Sequence, residues 1–119
     1  MADPHTQELF VGCAAGLETV LAEELRELAL EGTSIERTSG GAHVVTPRGL
    51  APIARLNLEL GVAEQVRLRL GRFACPDLTT LAREAAALPW REVLTPASAL
   101  RLRAFASGST LSAARALAA

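Results

Sequence analysis

The chain has no lysine and no tyrosine, and only three phenylalanines and one tryptophan among its 119 residues. Its core must therefore be built from Leu, Val and Ala rather than from stacked rings. Two cysteines, Cys13 and Cys75, cannot supply the disulfide framework of a small secreted domain. They also lack the paired C-x-x-C spacing of a zinc site, and the only histidines are His5 and His43, so no metal site is expected. No apolar run approaches the ~20 residues that a membrane span requires. The polar start, Met1 to Gln7, has neither a basic stretch nor an apolar stretch, so it does not read as a secretory signal. A cytoplasmic, membrane-free protein is expected, with residues 1–7 disordered.

Catalytic patterns are missing too. Nucleophilic catalysis needs a Ser or Cys beside a base and an orienting carboxylate. His43 has no recognisable partner and reads as a satisfied or solvent-facing strand histidine. Gly12-x-x-x-Gly16 does not have the spacing of a phosphate loop, and no Gly-Lys-Ser/Thr follows it. Gly16-Leu17-Glu18 instead reads as a tight strand-to-helix turn. The Gly-rich loop of a doubly wound nucleotide-binding sheet is absent as well. No catalytic residue and no cofactor is expected in this chain.

What is present is arginine. All twelve basic residues are Arg, and each is a planar fork suited to phosphate, although biased base composition would also explain the excess. The net charge of −1 hides an asymmetry. Residues 1–64 hold four Arg against ten acids, and residues 65–119 hold eight Arg against three acids. The front is acidic, and the back can attract anions such as nucleic acid.

Half the residues are apolar, which is enough for one domain or two very small ones. Glu8 to Cys13 reads as a strand. Leu17, Val20, Leu21, Leu25 and Leu28 then mark one face of a helix that Glu31-Gly32 ends, with Glu23, Glu24 and Glu27 on the wet side. Ser34 to Arg37 and Ala42 to Thr46 pair around the hairpin signal Ser39-Gly40-Gly41. Leu50 to about Leu60 forms a second helix with Pro52 in its first turn. Glu64 to Phe73 alternates, with Val66, Leu68 and Leu70 facing inward and Arg67 and Arg69 outward. The order β-α-β-β-α-β over residues 8–73 predicts an α+β, ferredoxin-like domain.

A second unit, 74–119, follows. Asp77 is the expected N-cap of a helix reaching Leu88, with Leu81, Ala85 and Leu88 on its apolar face. Ser98 to Ala106 alternates as a strand, with Arg101 and Arg103 on one side and Leu100 and Leu102 on the other. The loop Ser107-Gly108-Ser109-Thr110 precedes a helix starting near Leu111. Backbone N–H groups at such a helix start, with hydroxyls beside them, suit a phosphate oxygen. No cap closes that helix by Ala119, so the chain is expected to stop inside this domain.

Taken together, the pieces resemble a known family. They are the stretch Leu9-Phe10-Val11-Gly12-Cys13-Ala14-Ala15-Gly16-Leu17-Glu18, Gly40-Gly41 with His43, Leu56-Asn57-Leu58, Ala63-Glu64-Gln65-Val66, Leu70-Gly71-Arg72-Phe73, and Leu88-Pro89-Trp90 followed by Pro96. In order and spacing over about residues 8–117 they are similar to bacterial THUMP-containing RNA methyltransferases related to the 23S rRNA guanine-N2 enzyme. The resemblance implies a ferredoxin-like domain followed by the first part (α-β-α) of a truncated THUMP domain. It further implies that the two hold structured RNA (rRNA or tRNA) for a C-terminal methyltransferase domain in cis, which binds S-adenosylmethionine. Three features depart from the family pattern: Ala15 stands where a basic residue is common, Gly61 and Gln65 stand where arginines often flank, and the 107–110 loop differs in content. The expected RNA-binding set is Arg67, Arg69, Arg101, Arg103, Ser107, Gly108, Ser109 and Thr110. The rival expectation is a ferredoxin-like regulatory or oligomerisation module without RNA binding.

Overall fold

Alternation along β1 (Thr6–Cys13) decides the architecture. Leu9, Val11 and Cys13 are buried, while Glu8, Phe10 and Gly12 face the other side. The computed structural model describes residues 4–105, which fall into two units, Met1–Arg69 and Leu70–Ala119.

In the first unit β1 is followed by α1 (Glu18–Glu27), β2 (Ser34–Thr38), β3 (Gly41–Pro47), α2 (Leu50–Glu59) and β4 (Ala63–Arg69). The four strands form one sheet in the order β2-β3-β1-β4, with every pair antiparallel. This is the ferredoxin-like arrangement. Leu9, Val11 and Cys13 from β1, Ala42 and Val44 from β3, Leu21 and Leu25 from α1 and Leu56 from α2 make the core. Both helices therefore cover the same face. Burying each of the large aliphatic side chains contributes about 1.5–3 kcal/mol. Thr46 is the one buried polar residue among those described. Its hydroxyl donates to the Pro47 carbonyl at 3.0 Å and accepts from Gln7 Nε2 at 3.1 Å, so no hydrogen bond is forfeited.

Several details differ from the sequence reading. Thr6 and Gln7, expected to be disordered, extend β1, because Pro47 and Thr46 stand opposite them. On α1 the buried set is Leu21, Ala22 and Leu25, whereas Leu17 and Val20 are about two-fifths exposed. Ala22 presents a small side chain to the core, and the packed stripe turns towards it. The helix also stops at Glu27, short of Glu31-Gly32, because Ala29 takes a left-handed conformation (φ 47°). That turn lets Leu28 and Leu30 both reach the core. Glu24 is not on the wet side. Its Oε2 accepts from the backbone N–H groups of Gly61 (3.0 Å) and Val62 (3.2 Å), fastening α1 to the loop between α2 and β4. β4 ends at Arg69 rather than Phe73, since pairing with β1 stops at Glu8↔Arg69 and Gly71 offers no side chain to a ladder.

In the second unit, α3 (Leu78–Ala86) starts at Asp77, whose Oδ1 accepts from Thr80 N–H at 2.7 Å. Leu81, Ala85 and Leu88 are half-buried, as the periodicity predicts. A short 3-10 turn, Trp90–Glu92, follows, and Trp90 Nε1 donates to the Ala85 carbonyl at 2.7 Å, folding the ring back on the end of α3. The strand expected over Ser98 to Ala106 is not formed at residues 98–105. Alternation makes a strand only where a neighbouring strand accepts its hydrogen bonds. No strand is formed by the described residues of this unit. Ser107, Gly108, Ser109, Thr110 and the final helix lie outside the described residues.

Candidate nucleic-acid interface

The helices cover one face of the sheet, and the pairing register assigns the other. Three rows cross this open face from β2 to β4. They are Ser34–Val45–Glu8–Arg69, Glu36–His43–Phe10–Arg67 and Thr38–Gly41–Gly12–Gln65. Arg67 and Arg69 are thus brought together on the outward face of β4, as the alternation predicts. Arg69 Nη1 pairs with Glu8 Oε2 at 3.3 Å, and Arg67 Nε donates to Gln65 Oε1 at 2.8 Å. Both contacts are exposed and so fix orientation more than they stabilise. Arg101 and Arg103, in the second unit, are exposed on a segment without regular structure rather than on a strand.

The sequence reading missed the middle of the central row. His43 and Phe10, on the two central strands, stand in contact with ring centroids 5.4 Å apart and planes tilted by 59°. Phe10 reads in sequence as part of an apolar run. The alternation of Leu9, Val11 and Cys13 around it is the signal that places its ring outside the core.

The Gly16-Leu17-Glu18 turn has a second role that its spacing does not reveal. Gly16 (φ 93°) and Gly40 (φ 81°) both point their N–H groups at Glu18, to Oε2 at 2.9 Å and Oε1 at 3.1 Å. Glu18's own backbone N–H, with those of Gly40 and Gly16 and the charge of nearby Arg37, holds the carboxylate below its ordinary range. Arg37 itself donates to Thr19 Oγ1 at 2.6 Å. A shallow cleft lined by Glu18, Thr19, Arg37, Thr38 and Ser39 lies over this latch. It presents no nucleophile–base pair.

Cys13 is buried, and burial pushes its thiol up, with the charges of Glu18 and Glu64 adding to the effect, so it is poorly reactive. Among the described residues no group of His, Cys, Asp or Glu could hold a metal, and no helix is long and apolar enough to cross a membrane.

The model of one family, the RlmL ferredoxin-like domain, matches residues 8–67, half of the chain. The chain belongs to this family. The RlmL-type match runs from Glu8 in β1 to Arg67 in β4 and so includes Phe10, His43 and Arg67, while Thr6, Gln7, Leu68 and Arg69 lie outside it. Two solved structures are similar over nearly the whole chain. One is the "predicted N6-adenine-specific DNA methylase" of Listeria monocytogenes str. 4b F2365, with 27% identity over 95% of this chain and a TM-score of 0.83. The other is SMU.472, assigned as a methyltransferase and solved in complex with SAH, with 26% identity over 98% and a TM-score of 0.83. This chain spans 28% and 30% of their respective lengths. The chain is a methyltransferase-associated region.

Proposed function

We propose that this RlmL-type region holds RNA for methylation, with rRNA guanine N2 as the target and a catalytic domain elsewhere on the polypeptide performing the chemistry. The observation that carries the reading is the pair Arg67 and Arg69 on the open side of a domain whose family is associated with methyltransferases. Arginine forks in that position can position phosphate without specifying a base. Arg101 and Arg103, and the loop Ser107, Gly108, Ser109 and Thr110, extend the same phosphate-holding role into the second unit.

S-adenosylmethionine belongs to the other domain on this reading. The described residues do not fit it. The sheet is wholly antiparallel and has no crossover switch point, and the glycine turn after β1 is already filled by Glu18. What this chain contributes is grip and register on structured rRNA or tRNA.

Fluorescence anisotropy with structured rRNA fragments, titrated with salt, tests the proposal. Affinity should fall steeply with salt, and each arginine removed among 67, 69, 101 and 103 should lower the slope by about 0.7–0.9. Binding that ignores salt, or slopes in the four Arg→Ala variants no smaller than that of the unsubstituted chain, overturns it. A second reading has one observation in its favour: β4 is an edge strand whose outer side is unpaired within the sheet, which suits pairing with another subunit. A concentration-dependent dimer in ultracentrifugation, together with no RNA shift, would select that reading.

A further inference from the structure

The central row of the open face, Glu36–His43–Phe10–Arg67, has an order that suits one class of ligand. Two rings occupy the adjacent central strands, in contact with each other. The next row has glycine on both central strands, Gly41 and Gly12, so nothing rises beside the rings on that side. Arg67 stands opposite Phe10 on β4, its guanidinium donating to Gln65, with Arg69 two residues along the same strand. Glu36 stands opposite His43 on β2.

We propose that this face binds unpaired RNA, stacking successive bases on Phe10 and His43. The proposal rests on the RNA-holding reading above and specifies its mode. Stacking on aromatic and imidazole rings is how sheet surfaces engage unpaired bases, and it requires bases that are not already stacked in a duplex. The charges set the direction in which the strand lies. Glu36 repels phosphate and Arg67 and Arg69 attract it, so the sugar-phosphate backbone runs on the β4 side with its bases projecting across β1 and β3. Strands in a sheet are about 4.8 Å apart, so Glu36 lies roughly 10 Å across from Phe10. That is within reach of the edge of a base stacked on His43, where a carboxylate accepts from an exocyclic amino group. A protein partner fits less well. The strongly exposed large aliphatics of the first unit, Leu50 and Leu58, are on α2 rather than on this face.

The test uses the 119-residue chain with two fluorescein-labelled RNAs, an unstructured 12-nucleotide strand and a blunt hairpin duplex. Phe10→Ala and His43→Ala should each weaken single-strand binding by about 5- to 100-fold and leave the duplex affinity within twofold. Phe10→Leu, which keeps an apolar side chain, should lose binding while retaining the melting temperature. Phe10→Trp should bind and show quenched emission on adding the single strand. Equal affinity of Phe10→Leu and wild type for the single strand, with salt-dependent RNA binding intact, overturns the stacking mode and leaves the broader reading standing. Absence of salt-dependent binding to either RNA overturns both. A dimer lost in Phe10→Leu while RNA affinity is unchanged assigns the face to protein contact and likewise overturns the proposal.

Discussion

Replacing Gly41 by alanine should be among the most damaging single changes in the first unit. A Cβ built at Gly41 would stand 2.0 Å from the Val11 carbonyl oxygen and 3.0 Å from Gly12 Cα. Both are main-chain atoms of β1, and no side chain can swing aside. Ordinary contact would require β1 and β3 to part by roughly 1 Å at the place where β1 already bulges between Gly12 and Cys13. Overpacking of this kind costs about 1–3 kcal/mol. The adjacent bond from Cys13 N–H to the Gly40 carbonyl, 2.9 Å, is strained with it, at about 1 kcal/mol more. A unit of this size has total stability of only about 4–10 kcal/mol. At about 4–8 °C per kcal/mol, the melting temperature should fall by at least about 8 °C. Circular dichroism melts of Gly41→Ala beside Gly40→Ala provide the check. Gly40 has open space around it but φ of 81°, so alanine there meets only the conformational penalty, about 1 kcal/mol. Gly40→Asn should recover part of that loss, whereas Gly41→Asn should not. A Gly41→Ala variant milder than Gly40→Ala would refute the steric argument.

Ala29 is a non-glycine residue at φ 47°, so Ala29→Gly should raise stability by about 0.5–1 kcal/mol, read as a small upward shift in chemical denaturation midpoint. Glu18→Gln should flatten the acid side of the stability profile. The folded carboxylate titrates below its ordinary value of 4.5, so the unfolded chain binds more protons in acid. The contribution is therefore full above that value and lost as pH falls through the depressed one; melts across about pH 2.5–7 should show a smaller acid loss in the variant. Asp77 is depressed for a like reason, chiefly the Thr80 N–H it accepts, so Asp77→Ala should fray the start of α3 at neutral pH while Asp77→Asn retains the cap. Amide exchange at Thr80 is the readout, and unchanged protection in Asp77→Ala would remove the cap from the account.

The fold was legible because its strands carry strict alternation. Leu9/Val11/Cys13, Ala42/Val44 and Val66/Leu68 each declare one buried face, and the two amphipathic helices between them leave few ways to cover it. Arg67 and Arg69 were legible for the same reason. What stayed hidden depends on pairs far apart in the chain. The Phe10–His43 contact needs the β1–β3 register, and the Glu18–Gly40 bond spans 22 residues. The expected strand failed in the opposite way over residues 98–105, since its alternating pattern is genuine but pattern alone does not supply a neighbour.

The Glu18 latch has a consequence for ligand competition. The two glycine N–H groups it occupies form the kind of backbone cradle that elsewhere receives phosphate. Here the competitor is tethered two residues from Gly16, so its effective concentration is at least of millimolar order and does not fall on dilution. A free phosphate, or one on a passing nucleic acid, would have to displace a resident anion that never diffuses away. The turn is thereby removed from the set of anion sites on the domain, which on the RNA-holding proposal leaves an approaching strand to the arginines of β4.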